Sequence, residues 1–292
     1  MGEYKAIVLG AGISGISCAI YLKRAGISTL VIENNVPGGQ LNKASLIENY
    51  PGYSSISGPD LVNHLMEQFE QHDIPLVYDE VIEVDFNHKL VKMKDNEYSY
   101  QYLVFATGRR ERTLKLEHEE DYIGHGISFC ATCDGALYKN QDVVVVGGGS
   151  SAVSEAIYLS SLCHKVYLVY RGEHLRAEEV LKDRLQQNSN VEVIYHDVVS
   201  KYKISDGKIC GVFLKSGVEI DANCVFLAVG HIPNSELFDG NKKDGYIVVN
   251  SFGETSLPFV YACGDIVYKQ VYQLITASSE GAVVATSIIK NS

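Results

Sequence analysis

The sequence predicts an α/β protein in which one strand–loop–helix–strand unit occurs twice, the second copy inserted into the first. Three observations predict it. Two glycine-rich loops lie far apart in the chain, each with an apolar strand before it and a helix-period pattern after it. Each copy later closes on another apolar run ending in glycine, LVFATG at residues 103–108 and VFLAVG at 225–230. The last stretch, with GYIVVN at 245–250, FVYACGD at 259–265 and a helix pattern from about 273 to 289, reads as the completion of the first copy. The expected boundaries are residues 1–114 with 245–292 for the first domain and 115–244 for the second. A length of 292 residues suits two domains that each bury a core.

In the first copy, KAIVL at 5–9 is the opening strand and Gly10-Ala11-Gly12-Ile13-Ser14-Gly15 the loop. Ile13, Ile16, Ala19 and Ile20 fall on one helix face, and Gly26 is the expected stop. The next strand, 28–32, ends at Glu33. A lone GxGxxG also marks plain turns. Here strand, helix and a following acid supply the context of dinucleotide binding. The first Gly allows the tight turn, the second lets the backbone approach a pyrophosphate, and the third lets helix and strand pack closely. The helix N-terminus adds free N–H groups, and the acid takes ribose hydroxyls. Gly10, Gly12, Ser14, Gly15 and Glu33 are the candidates; the alternative is a strand–turn–helix with no ligand.

The second copy runs from DVVVV at 142–146 into GGGSSA at 147–152, with a helix through 159 and a strand at 165–169. Gly147, Gly149, Ser150, Ser151 and Ala152 are its candidate nucleotide contacts. No acid stands at the next strand end; Arg171 and Arg176 follow instead. Arginines there suit the 2′-phosphate of NADP, which an acid would repel. Against this, Glu173 could also serve an NADH ribose, and a solvated turn is the plain alternative.

Cys130-Ala131-Thr132-Cys133-Asp134-Gly135 is the expected chemical centre. Two intervening residues let the sulfurs form and break a disulfide, and such turns can expose thiolate near neutral pH. Asp134 is placed to carry a proton in the exchange. Half a zinc site would need two more ligands; His118 and His125 are near, but no second CxxC or HxxxH exists. Inert buried thiols are the other alternative. The remaining cysteines, Cys18, Cys163, Cys210, Cys224 and Cys263, stand alone and read as small buried hydrophobes.

A net charge of −11 argues against a nucleic-acid binder, which needs a basic face. No apolar run reaches the roughly 18–20 residues that span a bilayer. The start, Met1-Gly2-Glu3-Tyr4-Lys5, shows neither a secretory signal nor a myristoylation pattern, so the expected location is the cytoplasm.

Further motifs fall in a fixed order: Gly38-Gly39-Gln40-Leu41 followed by Glu48-Asn49-Tyr50-Pro51-Gly52, Ala106-Thr107-Gly108, CATCDG at 130–135, Gly230-His231-Ile232-Pro233-Asn234 and Cys263-Gly264-Asp265. In these, over nearly the whole chain, the sequence resembles the low-molecular-weight bacterial thioredoxin reductases. The resemblance implies two doubly wound, three-layer domains, one for FAD and one for NADPH. It implies FAD contacts at Gly10, Gly12, Gly15, Glu33, Gly39, Gln40, Asn49, Thr107, Gly108, Asp265 and Gln273. It implies a homodimer, a thioredoxin-like partner, and a nucleotide domain that carries the CxxC and rotates against the FAD domain. Cys133 would face the flavin and Cys130 would attack the substrate disulfide. Three departures stand out. The family's HRRxxxR is Tyr170-Arg171-Gly172 with Arg176, its GGGDSA has Ser150 in place of Asp, and its Arg-Gln near the C-terminus is Tyr272-Gln273. The first bears on NADPH preference and the third on the flavin contacts. A flavin reductase fed by ferredoxin and a non-catalytic flavoprotein redox sensor are the competing readings.

Overall fold

The structure is a computed structural model that describes residues 2–44 and 47–292. The chain divides into two compact units, Met1–Arg110 with Ile232–Ser292, and Glu111–His231. The second is therefore inserted into the first.

In the first unit the strands Leu76–Tyr78, Thr29–Glu33, Gly2–Leu9 and Glu97–Phe105 lie side by side in parallel. The free edge of Glu97–Phe105 is shared: its start pairs antiparallel with Leu90–Lys92, and its end pairs parallel with Val260–Ala262. Strand Gly2–Leu9 shows why an unbroken apolar run is needed. Ala6 and Val8 enter a core with Ile16 and Leu22 of helix Ile13–Arg24 and Val284 and Ile288 of helix Leu274–Lys290. Ile7 and Leu9 enter the opposite core with Phe105, Phe238 and Ile247. A strand covered on both faces cannot alternate with polar residues. The two helices touch closely because Gly281 has no side chain; a Cβ there would lie 2.2 Å from Ser14 O.

The second unit repeats the plan. Val191–Ile194, Lys165–Val169, Asp142–Val146, Cys224–Leu227 and Ile127–Ser128 form a five-stranded parallel sheet. Val143 and Val145 pack under helix Ser150–Ser160, and Val144 faces a meander of Val199–Ser205, Lys208–Leu214 and Glu219–Asp221. Helices, sheet and antiparallel strands make three layers.

The return crossing falls at 231/232, earlier than the expected 244/245, and the first at 110/111 rather than 114/115. Side-chain partners explain the shift. Thr107 Oγ1 donates to Asn234 O and Asn234 Nδ2 donates to Thr107 O, both at 2.8 Å. Phe238 is fully buried with its ring 5.5 Å from that of Phe105. Residues 234–238 thus belong to the first core. Among the described residues no helix is long and apolar enough to cross a membrane.

Candidate functional site

In both units the strand order reverses at the strand feeding a glycine loop. Gly2–Leu9 has Thr29–Glu33 on one side and Glu97–Phe105 on the other; Asp142–Val146 has Lys165–Val169 and Cys224–Leu227. Ligands of open α/β sheets bind at the carboxyl ends of strands at such a switch point.

The three glycines of the first loop do different jobs. Gly10 has φ +101°, and a Cβ there would lie 2.6 Å from Ala106 O. A Cβ on Gly15 would lie 2.0 Å from Gly10 O. Around Gly12 nothing lies within 4 Å of a Cβ, and Gly12 caps helix Ile13–Arg24 without any side-chain hydrogen bond. Gly10 and Gly15 are thus required by the fold, whereas Gly12 leaves an open cradle at unsatisfied helix N–H groups. Glu33 accepts the Ala11 N–H on Oε2 at 2.7 Å and the Asn35 N–H on Oε1 at 2.9 Å, which ties it to the loop. The Ser14 hydroxyl is turned inward: a Cβ on Gly264 would meet its Oγ at 2.3 Å. Only the backbone of Ser14 is left to meet a ligand.

Of the other first-unit candidates, Gln40, Gly108 and Asp265 meet at a residue the sequence reading missed, Arg109. Gly39, with φ +54°, faces Gly12 Cα, 3.8 Å from where its Cβ would be. Gln40 Nε2 donates to Arg109 O at 2.7 Å, and Asn49 Nδ2 donates to Gln273 Oε1 at 3.1 Å. Gly108 turns with φ +62° immediately before Arg109. The Arg109 guanidinium lies 4.4 Å from the centre of the Tyr272 ring, with Nε 3.2 Å from Asp265 Oδ2. Lys269 and Glu280 form a second pair beside it at 2.8 Å, and Glu280 also accepts the Gly264 N–H. Burial raises the Glu280 carboxyl above its ordinary value against the pull of Lys269. Arg109 Nε and Asp265 Oδ1 are buried without a hydrogen-bond partner. The sequence signal was the Arg109-Arg110 pair directly after ATG, at the carboxyl end of a central strand.

The second loop has the same division. Gly147, φ +149°, would place a Cβ 2.4 Å from Ala228 O and 2.9 Å from Ala152 Cβ, while Gly149 is open and caps helix Ser150–Ser160 without a side chain. Ser150 and Ser151 are the first two residues of that helix. Gly148 is required by Tyr170, whose ring lies 2.2 Å from a Cβ built there. Arg176 N donates to Gly148 O at 2.7 Å, so residue 176 is strapped to the loop by its backbone. Arg171 follows Tyr170, and both arginines are exposed.

Cys130 and Cys133 are joined as a disulfide. The short helix Ala131–Asp134 holds them, with the Cys133 N–H directed at Cys130 Sγ at 3.2 Å. Ala131 is buried in the core under the sheet, and a Cβ on Gly135 would meet the Leu159 side chain at 2.9 Å. The redox turn is thereby seated on the nucleotide-loop helix of its own unit. Ser128, also missed, Oγ-donates to Asp134 Oδ2 at 2.6 Å and accepts the Cys130 N–H at 3.0 Å. Its signal was the Ser-x-Cys spacing of a side-chain turn. Of the other cysteines, Cys18, Cys163, Cys224 and Cys263 are buried, as expected, and Cys210 is half-buried. Burial pushes Cys163 up to about 11 and Cys224 and Cys263 up to about 12, so these thiols stay protonated.

The sequence pattern of the family described as pyridine nucleotide-disulphide oxidoreductase matches residues 4–282. A curated thioredoxin reductase of Bacillus subtilis (strain 168) is 36% identical over 295 residues, 98% of this chain and 93% of the relative. The crystal structure of Lactococcus lactis thioredoxin reductase (FR conformation) is 34% identical, covers 98% of both chains and has a TM-score of 0.81. A ferredoxin-flavin thioredoxin reductase from Clostridium acetobutylicum is 30% identical, covers 100% of this chain and 98% of its own, and has a TM-score of 0.55.

Proposed function

The chain belongs to the pyridine nucleotide-disulphide oxidoreductase family, and we propose that within it the protein is a thioredoxin-disulfide reductase using NADPH and FAD. The observation that carries the reading is the Cys130–Cys133 disulfide seated on the nucleotide-loop helix, with Asp134 held beside it by Ser128.

The residues fit both cofactors. Gly12 and Gly149 leave open cradles at uncapped helix N-termini, the arrangement that takes a pyrophosphate. In the first unit Asp265 Oδ1 and Arg109 Nε, both buried without a hydrogen bond, call for a polar ligand beside Thr107, Gly108, Gln40 and Gln273. The first unit is therefore assigned to FAD and the second to NADPH, with Arg171 and Arg176 on the 2′-phosphate. The bound flavin supplies the two electrons that open the disulfide.

Cys133 receives them and Cys130 is released as the nucleophile. Cys130 gives its proton to Asp134 and attacks the substrate disulfide, forming a mixed disulfide and expelling a substrate thiolate, to which Asp134 passes that proton. Cys133 then attacks Cys130 Sγ, restoring the pair and expelling the second substrate thiolate. The Cys133 N–H directed at Cys130 Sγ supports Cys130 as the sulfur that carries charge. A homodimer in the cytoplasm is part of this reading, and sedimentation at micromolar concentration tests the oligomer.

The test is an anaerobic titration of the purified protein with NADPH and, separately, NADH, following flavin bleaching, and then addition of thioredoxin. A yellow protein bleached by NADPH and reoxidised by thioredoxin is expected. A colourless protein that FAD cannot reconstitute defeats the reading, and bleaching by neither nucleotide replaces it with a ferredoxin-type donor. Cys130→Ser and Cys133→Ser should both keep flavin reduction and lose thioredoxin reduction, with Cys133→Ser alone trapping thioredoxin as a mixed disulfide. Full turnover by either variant would place the chemistry elsewhere.

A further inference from the structure

We propose that Arg109 is a flavin-contacting residue whose positive charge favours the reduced cofactor. The inference rests on the FAD reading of the first unit and deepens it, giving Arg109 a role in the cofactor's redox balance.

Arg109 occupies an unusual position for a guanidinium. Its side chain is 16% exposed and its Nε is buried with no hydrogen-bond partner. Burying a charged donor without a partner costs free energy, and a native chain retains such an atom where a ligand completes it. The nearest carboxylate does not complete it. Asp265 Oδ2 lies 3.2 Å from Nε outside hydrogen-bond geometry, and the other oxygen, Oδ1, is buried without a hydrogen bond, 3.6 Å from Lys269 Nζ. Two polar atoms of opposite sign, each buried without a hydrogen bond, thus border one site.

The surroundings fix the side chain. The Tyr272 ring stacks on the guanidinium at 4.4 Å, and the Arg109 carbonyl is held by Gln40 Nε2 at 2.7 Å. Neighbouring cations already have close partners. Lys269 pairs with Glu280 at 2.8 Å and more distantly with Asp265 at 3.6 Å, and Arg110 donates to Asn234 at 2.6 Å and to Glu236 at 2.7 Å. Arg109 is the neighbouring cation left with a buried open donor, directly after the Thr107-Gly108 turn.

A flavin that accepts two electrons gathers negative charge at N1, and a fixed cation near that edge tunes its electronics. Arg109, held by Tyr272 and Asp265 rather than by solvent, would supply such a cation to a bound flavin without reorganising when the charge develops.

The test compares unmodified, Arg109→Met and Arg109→Lys holoenzymes by equilibrating the flavin with redox dyes of known potential. Arg109→Met is expected to shift the equilibrium about tenfold toward oxidised flavin, which is about 30 mV for two electrons, and Arg109→Lys to recover most of it. An Arg109→Met equilibrium within twofold of the unmodified protein overturns the inference and leaves the FAD reading intact. If Arg109→Met purifies colourless, FAD titration of the two apoproteins decides. Binding by the Lys variant alone supports the cation, and equal loss in both with lowered melting temperatures makes Arg109 structural. A colourless unmodified protein fails the FAD reading itself and the inference with it.

Discussion

Ser128 serves two parts of the redox turn with one hydroxyl, donating to Asp134 and accepting from the Cys130 backbone. Ser128→Ala leaves a carboxylate without its donor and an N–H without its acceptor, each loss worth roughly 1–3 kcal/mol. Thioredoxin reduction should fall about tenfold or more, flavin reduction by NADPH should stay unchanged, and Ser128→Thr should restore part of the loss. Stopped-flow flavin reduction beside a thioredoxin assay separates the two, and undiminished thioredoxin turnover would remove Ser128 from the site. Glu155 has a different role. Its Oε2 is buried without a partner, and burial raises its carboxyl from 4.5 to about 7. Between those values the folded chain holds a proton that the unfolded chain releases. The stabilisation is therefore full below about 4.5 and lost as pH rises through about 7, amounting to roughly 3 kcal/mol at about 1.36 per unit. Glu155→Gln should flatten the decline in unfolding free energy between pH 5 and pH 8. A denaturant series that keeps its slope would show that Glu155 titrates normally.

At the scale of the element, the glycine loops separate fold from ligand. Gly12 and Gly15 are three residues apart, yet a Cβ meets nothing at one and a backbone oxygen at 2.0 Å at the other. Gly12→Ala should leave the apoprotein melting temperature almost unchanged while abolishing tight FAD binding, because only a bound pyrophosphate would meet the methyl group. Gly15→Ala must push helix Ile13–Arg24 off strand Gly2–Leu9, an overpacking cost of about 1–3 kcal/mol or more. Thermal melts of the apoproteins with FAD titration of each check both. Equal destabilisation by the two would mean that Gly12 is structural. These loops were readable in sequence because each is one turn of contiguous chain, with strand, helix and spacing all local. The final helix was readable for the same reason. Gln273, its N-cap, forms a reciprocal capping box with Thr276, and the helix runs Leu274–Lys290 against an expected 273 to 289.

For the whole molecule, the choice of donor falls on the second unit. Arg176 is strapped to the glycine loop through its backbone, and Arg171 follows the buried Tyr170. Two arginines in place of a fuller cluster should still favour NADPH. Each desolvated phosphate contact contributes on the order of 1.5–3 kcal/mol. Replacing both by Ala should raise the KM for NADPH at least tenfold more than that for NADH. Steady-state kinetics with both nucleotides decide it, and an unmodified enzyme that prefers NADH would exclude the 2′-phosphate role.

The sequence by itself determined the duplicated α/β plan, both glycine loops, the redox pair and the insertion of one domain into the other. Each is written in periodicity or in a few adjacent residues, where short-range geometry leaves little choice. Only the tertiary structure decided who partners whom. Arg109 meets Asp265 and Tyr272 from a distant part of the chain. Asp134 finds Ser128 across the turn, and the return crossing lies at 231/232 because Asn234 and Phe238 are claimed by the first core. A guanidinium, a hydroxyl or a phenyl ring has the same local preferences wherever it stands. Its role is set by which groups packing brings within about 3–6 Å, the range over which hydrogen bonds, ion pairs and ring contacts act.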